Sequence, residues 1–290
     1  MIWIPVLIVL GLVAGRLRLP LWAGWLGGLG LLMAAHGVLL EADPIIRMVG
    51  ICAVLLAGMK GLVYVAWGGH LGWWRYLLFS LGWFGMDPGS FAKRREGLSF
   101  KEDLAWGAAL MVVGTLGAWL VWAMEWRQIL VMFLPMSIGF HFGALRVLKG
   151  VLRWAGFPVR TLFPNLLKAK GVADFWSRRW NVGYSQMMQR LVGRPVGEMM
   201  GRKAGGFGVF LVSGLLHEVA ITVPVNAGYG LPTIYFVTHG LLVILEGKLG
   251  RSLGKIFALL AVGVPLGFLF PPEFQSEVIA RCLGFFDLLT

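Results

Sequence analysis

The chain has 290 residues, 58% hydrophobic and 14% charged, and its 26 Lys and Arg against 14 Asp and Glu leave a formal net charge of +12. Soluble domains run near about 45–50% apolar and about 25% charged, so a soluble nucleic-acid binder fits the charge but not the hydrophobicity, and disorder is excluded because it needs low hydrophobicity. Cys52 and Cys282 are the only cysteines, which excludes a disulfide scaffold and leaves a polytopic membrane protein.

A bilayer-spanning helix needs about 20 mostly apolar residues. Such segments run over 2–15, 21–40, 45–67, 104–124, 127–143, 205–225, 230–246 and 256–271. The first is short. Arg16 and Arg18 follow it and no basic residue precedes it, the reverse of a signal peptide. Basic loops mark the cytoplasmic side. Residues 16–18, 93–101, 144–203 and 248–255 therefore read as inside. The acidic 41–43, the near-neutral Glu125-Trp126-Arg127 and 271–273 read as outside.

These sides alternate only if 71–86, rich in Trp and Phe, stays at the interface or re-enters. The expected fold is all-α: a polytopic membrane helical bundle of about eight transmembrane helices plus interfacial helices. It forms one integral membrane domain over 1–290, with N-terminal spans in 1–143, a basic segment at 144–203 and C-terminal spans in 204–290. Gly11 with Gly15, and Gly24 with Gly28, read as close helix packing.

The charge is unevenly placed. Residues 144–203 hold 12 Lys and Arg against two acidic residues, Asp174 and Glu198, so this fifth of the chain carries +10 of the +12. Tyr184, Met187, Met188, Leu191 and Val192 follow the spacing of an amphipathic helix, with Gln186, Gln189 and Arg190 opposite. The segment reads as short helices at the cytosolic surface, their basic heads at phosphate level. Topology and anionic lipid account for Lys and Arg there. The functional alternative is that some hold a phosphorylated substrate, for which the guanidinium fork is suited.

Of the five histidines, His70 lies in a loop, whereas His36, His141, His217 and His239 fall in or near spans. An ionisable group within a span is a functional candidate. His36 and His239 read first as hydrogen-bonded packing residues. His217 has the strongest case, because it sits in Ser213-Gly214-Leu215-Leu216-His217-Glu218 near the middle of a span. Ser213 and Gly214 precede it by four and three residues on the same helical face, and as small residues they would leave room for a substrate.

His217-Glu218 begins like a zincin helix, but position 221 is Ile and the second ligand is absent. No zinc-spaced Cys pair, GxSxG elbow or Walker sequence appears. A bis-histidine haem site pairing His141 or His239 with His217 is conceivable, but nothing selects it. The second cluster is Asp174-Phe175-Trp176-Ser177-Arg178-Arg179-Trp180-Asn181. Interfacial anchoring explains its Trp and Arg but not Asn181, which is poorly suited to lipid contact and both donates and accepts hydrogen bonds.

Phe175-Trp176-Ser177-Arg178-Arg179-Trp180-Asn181, followed 36 residues after the Asn by His217 in its SGLLHE sequence, resembles the membrane-bound O-acyltransferase family. The likeness is greatest to its wax-synthase branch, with FWxRRWN-like and SGxxHE-like motifs, over about residues 135–246. The resemblance implies transfer of a fatty acyl group from acyl-CoA, as co-substrate, to the hydroxyl of a lipophilic alcohol. No metal and no other cofactor is implied.

By the resemblance, His217 and Asn181 are the catalytic pair. A hydroxyl attacks well only as a base removes its proton, and His is the natural base. Asn181 would orient the thioester or stabilise the oxyanion. Phe175, Trp176, Arg178, Arg179, Trp180, Ser213, Gly214 and Glu218 are carried over as substrate-binding candidates. Glu218 or Ser213 would hold the imidazole tautomer, unless Glu218 faces the other side of the helix. The expected partners are acyl-CoA, a lipophilic alcohol and membrane lipids, with no nucleic acid. The expected location is a bacterial inner membrane or ER-type membrane. The alternatives are acyl or acetyl transfer to another lipid or extracytoplasmic hydroxyl, and a non-enzymatic transporter, against which the two halves show no internal repeat.

Overall fold

The computed structural model describes residues 3–126 and 128–288. Ile2, at the start of the first expected span, and Arg127, in the near-neutral loop, lie outside the described residues. Among the described residues every regular element is helical.

The N-terminal unit comprises α1 (Trp3–Arg16), α2 (Leu21–Val38) and α3 (Pro44–Trp67). Asp43 caps α3 by accepting from the Ile45 N–H at 2.9 Å, and Pro44 occupies the first helical position, where no N–H is needed. Small residues let α1 lie directly on α3, where a Cβ at Gly61 would come within 3.1 Å of Gly15 Cα. Gly11 joins this contact, whereas a Cβ added at Gly28 would meet nothing within 4 Å. The outward side chains of α2, among them Trp22, Leu26 and Met33, are exposed apolar groups, as contact with lipid requires.

Residues 71–86 do not cross. Their helix, α4 (Trp73–Leu81), has nine residues, about 14 Å of length. It is held by Lys60, a fully buried ammonium near the middle of α3. The three N–H donors of Lys60 meet the carbonyls of Phe79 (2.8 Å), Trp83 (2.7 Å) and Gly85 (2.7 Å). The last turn of α4 and the turn beyond it thus fold onto one buried charge.

α5 (Lys101–Ala123) and α6 (Ile129–Trp154) form an antiparallel pair seamed by glycine. A Cβ on Gly107 would lie 3.0 Å from the Gly143 carbonyl, and one on Gly143 2.8 Å from Met111 N. α6 continues well past the expected end at 143, because Asp103 of α5 takes up the charges of Arg146 (3.2 Å) and Lys149 (2.7 Å). It accommodates Pro135 in its interior and widens into a π turn over Ile138–Ala144.

The basic segment folds into the bundle. Its helices α7 (Val182–Met188) and α8 (Arg194–Met200) are short. The apolar stripe read from the sequence is real, with Met187, Met188, Leu191 and Val192 buried in the core around Met59, Tyr64 and Phe79. The stripe therefore faces protein and not the lipid surface. The chain then runs through α9 (Arg202–Val225), α10 (Leu231–Leu249), α11 (Lys255–Leu269) and α12 (Pro272–Asp287). α11 and α12 meet at 82°, at Pro271-Pro272.

By length and hydropathy, five helices among the described residues suffice to cross a membrane: α2, α3, α5, α6 and α9. There are six if the bent α11–α12 pair counts as one span. The sequence suggested about eight. α1 is too short at 14 residues, and α10 is long enough but carries Thr233, Thr238, His239, Glu246 and Lys248.

Candidate active site

The Asn motif is built on a clamp. Glu246 of α10, buried, accepts from the N–H groups of Val172 (3.1 Å), Ala173 (2.8 Å) and Leu253 (2.9 Å). A carboxylate at exposed helix-start N–H groups is a favourable, charge-assisted arrangement. It fixes the turn that continues through Phe175–Arg179. Asp174 then takes both arginines of the motif, Arg179 at 3.2 Å and Arg178 at 3.9 Å, and accepts from Lys170 N at 3.0 Å. Partial burial pushes the Asp174 carboxyl up, but the Lys170 N–H and the two guanidinium groups outweigh it and hold the group below its ordinary value.

Asn181 ends this turn in the left-handed conformation, at φ 39° and ψ 61°. Asn tolerates that region better than most residues. Its Oδ1 caps α7 by accepting from Tyr184 N at 3.2 Å. With the oxygen so engaged, the Asn181 amide NH₂ has no partner among the described residues and stands in the lining of a cavity.

α9 brings His217 to the same cavity. Its Nδ1 lies 2.7 Å from the Ser213 carbonyl oxygen, and its ring packs, tilted, 4.3 Å from Phe236 and stands 6.1 Å from the Tyr184 ring. A carbonyl accepts only, so Nδ1 carries the proton and Nε2 keeps its lone pair. Nε2 has no partner among the described residues. A π turn over Glu218–Thr222 follows at once, and such turns cluster at functional positions.

The cavity encloses about 790 Å³. It follows α9 from Gly206 to Ile221, about 22 Å along the axis. Arg190, Arg194, Gln186 and Gln189 line it beside the Gly206 end, and Phe133, Leu269 and Phe270 beside the Ile221 end. Asn181, Trp176, Trp180, Ser213 and His217 lie between. Two donors at its wall, Trp176 Nε1 and Tyr184 Oη, are buried with no hydrogen-bond partner among the described residues. Such orphans are rare in folded proteins and call for an explanation.

The remaining candidates fall outside the lining. Phe175 is buried and stacks on Trp180 at 6.0 Å. Arg178 and Arg179 are turned onto Asp174. Gly214 makes room for a helix and not for a ligand, since a Cβ there would lie 2.8 Å from Thr233 Cα of α10. Glu218 accepts from Thr222 Oγ1 (2.7 Å), Thr233 N (2.9 Å) and Thr233 Oγ1 (2.8 Å), so it faces away from the imidazole. His239 is packing: its Nδ1 and Nε2 lie 2.7 and 3.1 Å from the Tyr235 and Ala261 carbonyls. His141, by contrast, lines the cavity. Its signal in the sequence was the one applied to His217, an imidazole in an apolar span. Among the described residues no three His, Cys, Asp or Glu side chains converge as a metal-ligand set.

Residues 159–238 match the membrane bound O-acyl transferase family. Three relatives, all from Arabidopsis thaliana, are named probable long-chain-alcohol O-fatty-acyltransferases. Number 7 is 27% identical over 169 residues, covering 50% of this chain and 48% of its own. Number 3 is 31% identical over 136 residues, 39% of each. Number 2 is 26% identical over 157 residues, 46% of each. The chain thus spans about half the length of these relatives, or less. The matched segment holds the Asn motif, α7, α8, α9 and the His motif, and it is over this segment that the chain is similar to the membrane-bound O-acyltransferase family.

Proposed function

We propose that the protein transfers a fatty acyl group from acyl-CoA to the hydroxyl of a lipophilic, long-chain alcohol. The observation that carries this reading is that Asn181 and His217, 36 residues apart in sequence, line one cavity with arginines beside one end and aromatic and aliphatic walls at the other. An acyl-CoA has that same polarity, with anionic phosphates at one end and an alkyl chain at the other. The basic segment faces the cytosol in this reading, and the alcohol arrives from the bilayer. The relatives' names support an acyl transfer to a long-chain alcohol.

In the reaction the alcohol O–H donates to Nε2 of His217. As that proton moves to the imidazole, the alcohol oxygen attacks the thioester carbonyl carbon, and charge develops on the carbonyl oxygen. The Asn181 NH₂ is a donor available to it. The carbon–sulfur bond then breaks, the ester forms, and the CoA thiolate takes the proton from Nε2. General-base assistance of this kind is worth about 10²–10⁴-fold.

The test is His217→Ala in purified protein supplied with long-chain acyl-CoA and alcohol. Wild type releases free CoA thiol and a neutral ester identified by mass spectrometry. The variant folds and loses turnover by about 10²-fold or more. Retained turnover in the variant overturns the assignment. Solute movement without acyl-CoA consumption identifies a transporter, and a polar product identifies an acceptor of another class.

A further inference from the structure

His141 takes no part in this scheme, yet it shares the cavity. Its ring lies 4.8 Å from Phe163 and 5.3 Å from Trp180, inside the π turn of α6. Trp180 leads directly into Asn181, and the helix that Asn181 caps carries Tyr184, beside His217. Asn181 thus follows directly on a ring that packs against His141 and caps the helix whose Tyr184 faces His217, and His141, Tyr184 and His217 all line the one cavity with it.

The two rings are held with opposite polarity. His217 Nδ1 faces a carbonyl, so its Nε2 accepts. His141 Nδ1 faces the hydroxyl of Ser137 at 2.9 Å. Ser137 is buried, and this is the one hydrogen bond its hydroxyl makes among the described residues. A buried hydroxyl proton needs an acceptor. It finds one only if Nδ1 is unprotonated, which puts the imidazole proton on Nε2. His141 Nε2 has no partner among the described residues and is not a buried orphan, so it opens on the cavity.

We infer that His141 is a donor of the site: its Nε2–H, together with the Asn181 NH₂, binds the thioester carbonyl oxygen and holds the charge that develops there. His217 takes the proton and His141 gives none up. The proton from the alcohol passes through His217 Nε2 to the departing thiolate, and the His141 proton stays on its ring throughout. Neutral imidazole is a competent donor of this kind. The inference rests on the acyl-transfer reading.

Two variants and one spectrum test it. His141→Phe keeps a ring against Phe163 and Trp180 but has no donor, and His141→Gln offers an amide N–H instead. With purified full-length chain, hexadecanoyl-CoA and hexadecanol, His141→Phe is expected to lower kcat by about 10²–10³-fold, with KM for the thioester little changed and about tenfold recovered in His141→Gln. In the unsubstituted protein, ¹⁵N spectra of labelled histidines should show the Nε2–H tautomer at His141 and the Nδ1–H tautomer at His217. A merely structural His141 would not give this pattern with a kcat-only loss. Full turnover in His141→Phe, or an Nδ1–H tautomer at His141, overturns the inference while an inactive His217→Ala leaves the acyl-transfer reading standing. Full turnover in His217→Ala removes that reading itself. If His141→Phe fails to fold, the tautomer in the unsubstituted protein decides.

Discussion

The imidazole of His217 is oriented by the main chain of Ser213: Nδ1 sits 2.7 Å from its carbonyl oxygen, one helical turn earlier in α9. The Ser213 hydroxyl is occupied elsewhere, donating to the Val209 carbonyl at 2.7 Å. Ser213→Ala removes the hydroxyl and keeps the carbonyl. It should leave kcat within a few-fold of wild type, measured as thiol release. A loss as deep as that of His217→Ala would mean that the hydroxyl itself works in the site.

Glu218 is adjacent to His217 in sequence but serves α10. Its carboxylate meets the Thr233 N–H in the first turn of that helix, where N–H groups have no intrahelical partner. Glu218→Ala leaves that donor and the Thr233 hydroxyl without their acceptor, while Thr222 keeps the carbonyl of residue 218 at 3.0 Å, a cost of about 1–3 kcal/mol. The expected result is a lowered melting temperature with turnover per folded molecule preserved. An unchanged melting temperature with lost turnover would move Glu218 into the chemistry.

Asp174 gives the motif a pH dependence. Its carboxyl is held below its ordinary value by the Lys170 N–H and the two arginines, against the push of partial burial. A carboxylate with a lowered folded pKa stabilises the fold above its unfolded value, about pH 4, and loses that contribution as pH falls through the folded value. Thermal melts of wild type and Asp174→Asn should differ at neutral pH and converge in acid. A difference that grew on acidification would contradict the pairing.

The site was legible where a residue type was out of place in its surroundings. Asn181 in an aromatic, arginine-rich cluster and an imidazole in an apolar span are of that kind, and they meet in one cavity. Neighbours in sequence were harder to place, because helical spacing does not say which side of a helix faces the site and which faces another helix. Gly214 meets Thr233 and Glu218 meets α10 for that reason. Arg178 and Arg179, substrate-binding candidates by resemblance, turn instead onto Asp174, four and five residues before them, a pairing that sequence spacing alone does not reveal. Glu246 left no local trace: its partners at Val172 and Ala173 lie more than 70 residues away. The end of α6 was misplaced because Arg146 and Lys149 look like a loop until Asp103 is known to face them.

Lys60 should be a stability residue and not a site residue. It is fully buried and its ammonium is consumed by three carbonyls and by the face of Phe79 at 4.0 Å. Lys60→Met fills the volume but leaves the carbonyls of Phe79, Trp83 and Gly85 without a donor. A buried carbonyl left without its donor costs about 1–3 kcal/mol. The variant should melt well below wild type, with proteolysis appearing first around 71–86. An unchanged melt would mean that water replaces the ammonium.

The basic segment now divides by what each charge touches. Arg146 and Lys149 are tied to Asp103, Arg178 and Arg179 to Asp174, and Arg153 to the Ser99 carbonyl at 2.6 Å. Arg190 and Arg194 line the cavity and form no ion pair among the described residues. If the anionic donor rests on them, Arg190→Gln with Arg194→Gln should raise KM for acyl-CoA while kcat holds, because phosphate contacts remote from the carbonyl bind ground state and transition state alike. The defect should shrink at high salt, where the wild-type attraction is itself screened. Arg178→Gln is the control: its side chain is 78% exposed and its one ion pair is at 3.9 Å, so KM should not move. A double variant with wild-type KM would mean that the CoA phosphates are held by other groups and that these two arginines answer to the membrane surface alone.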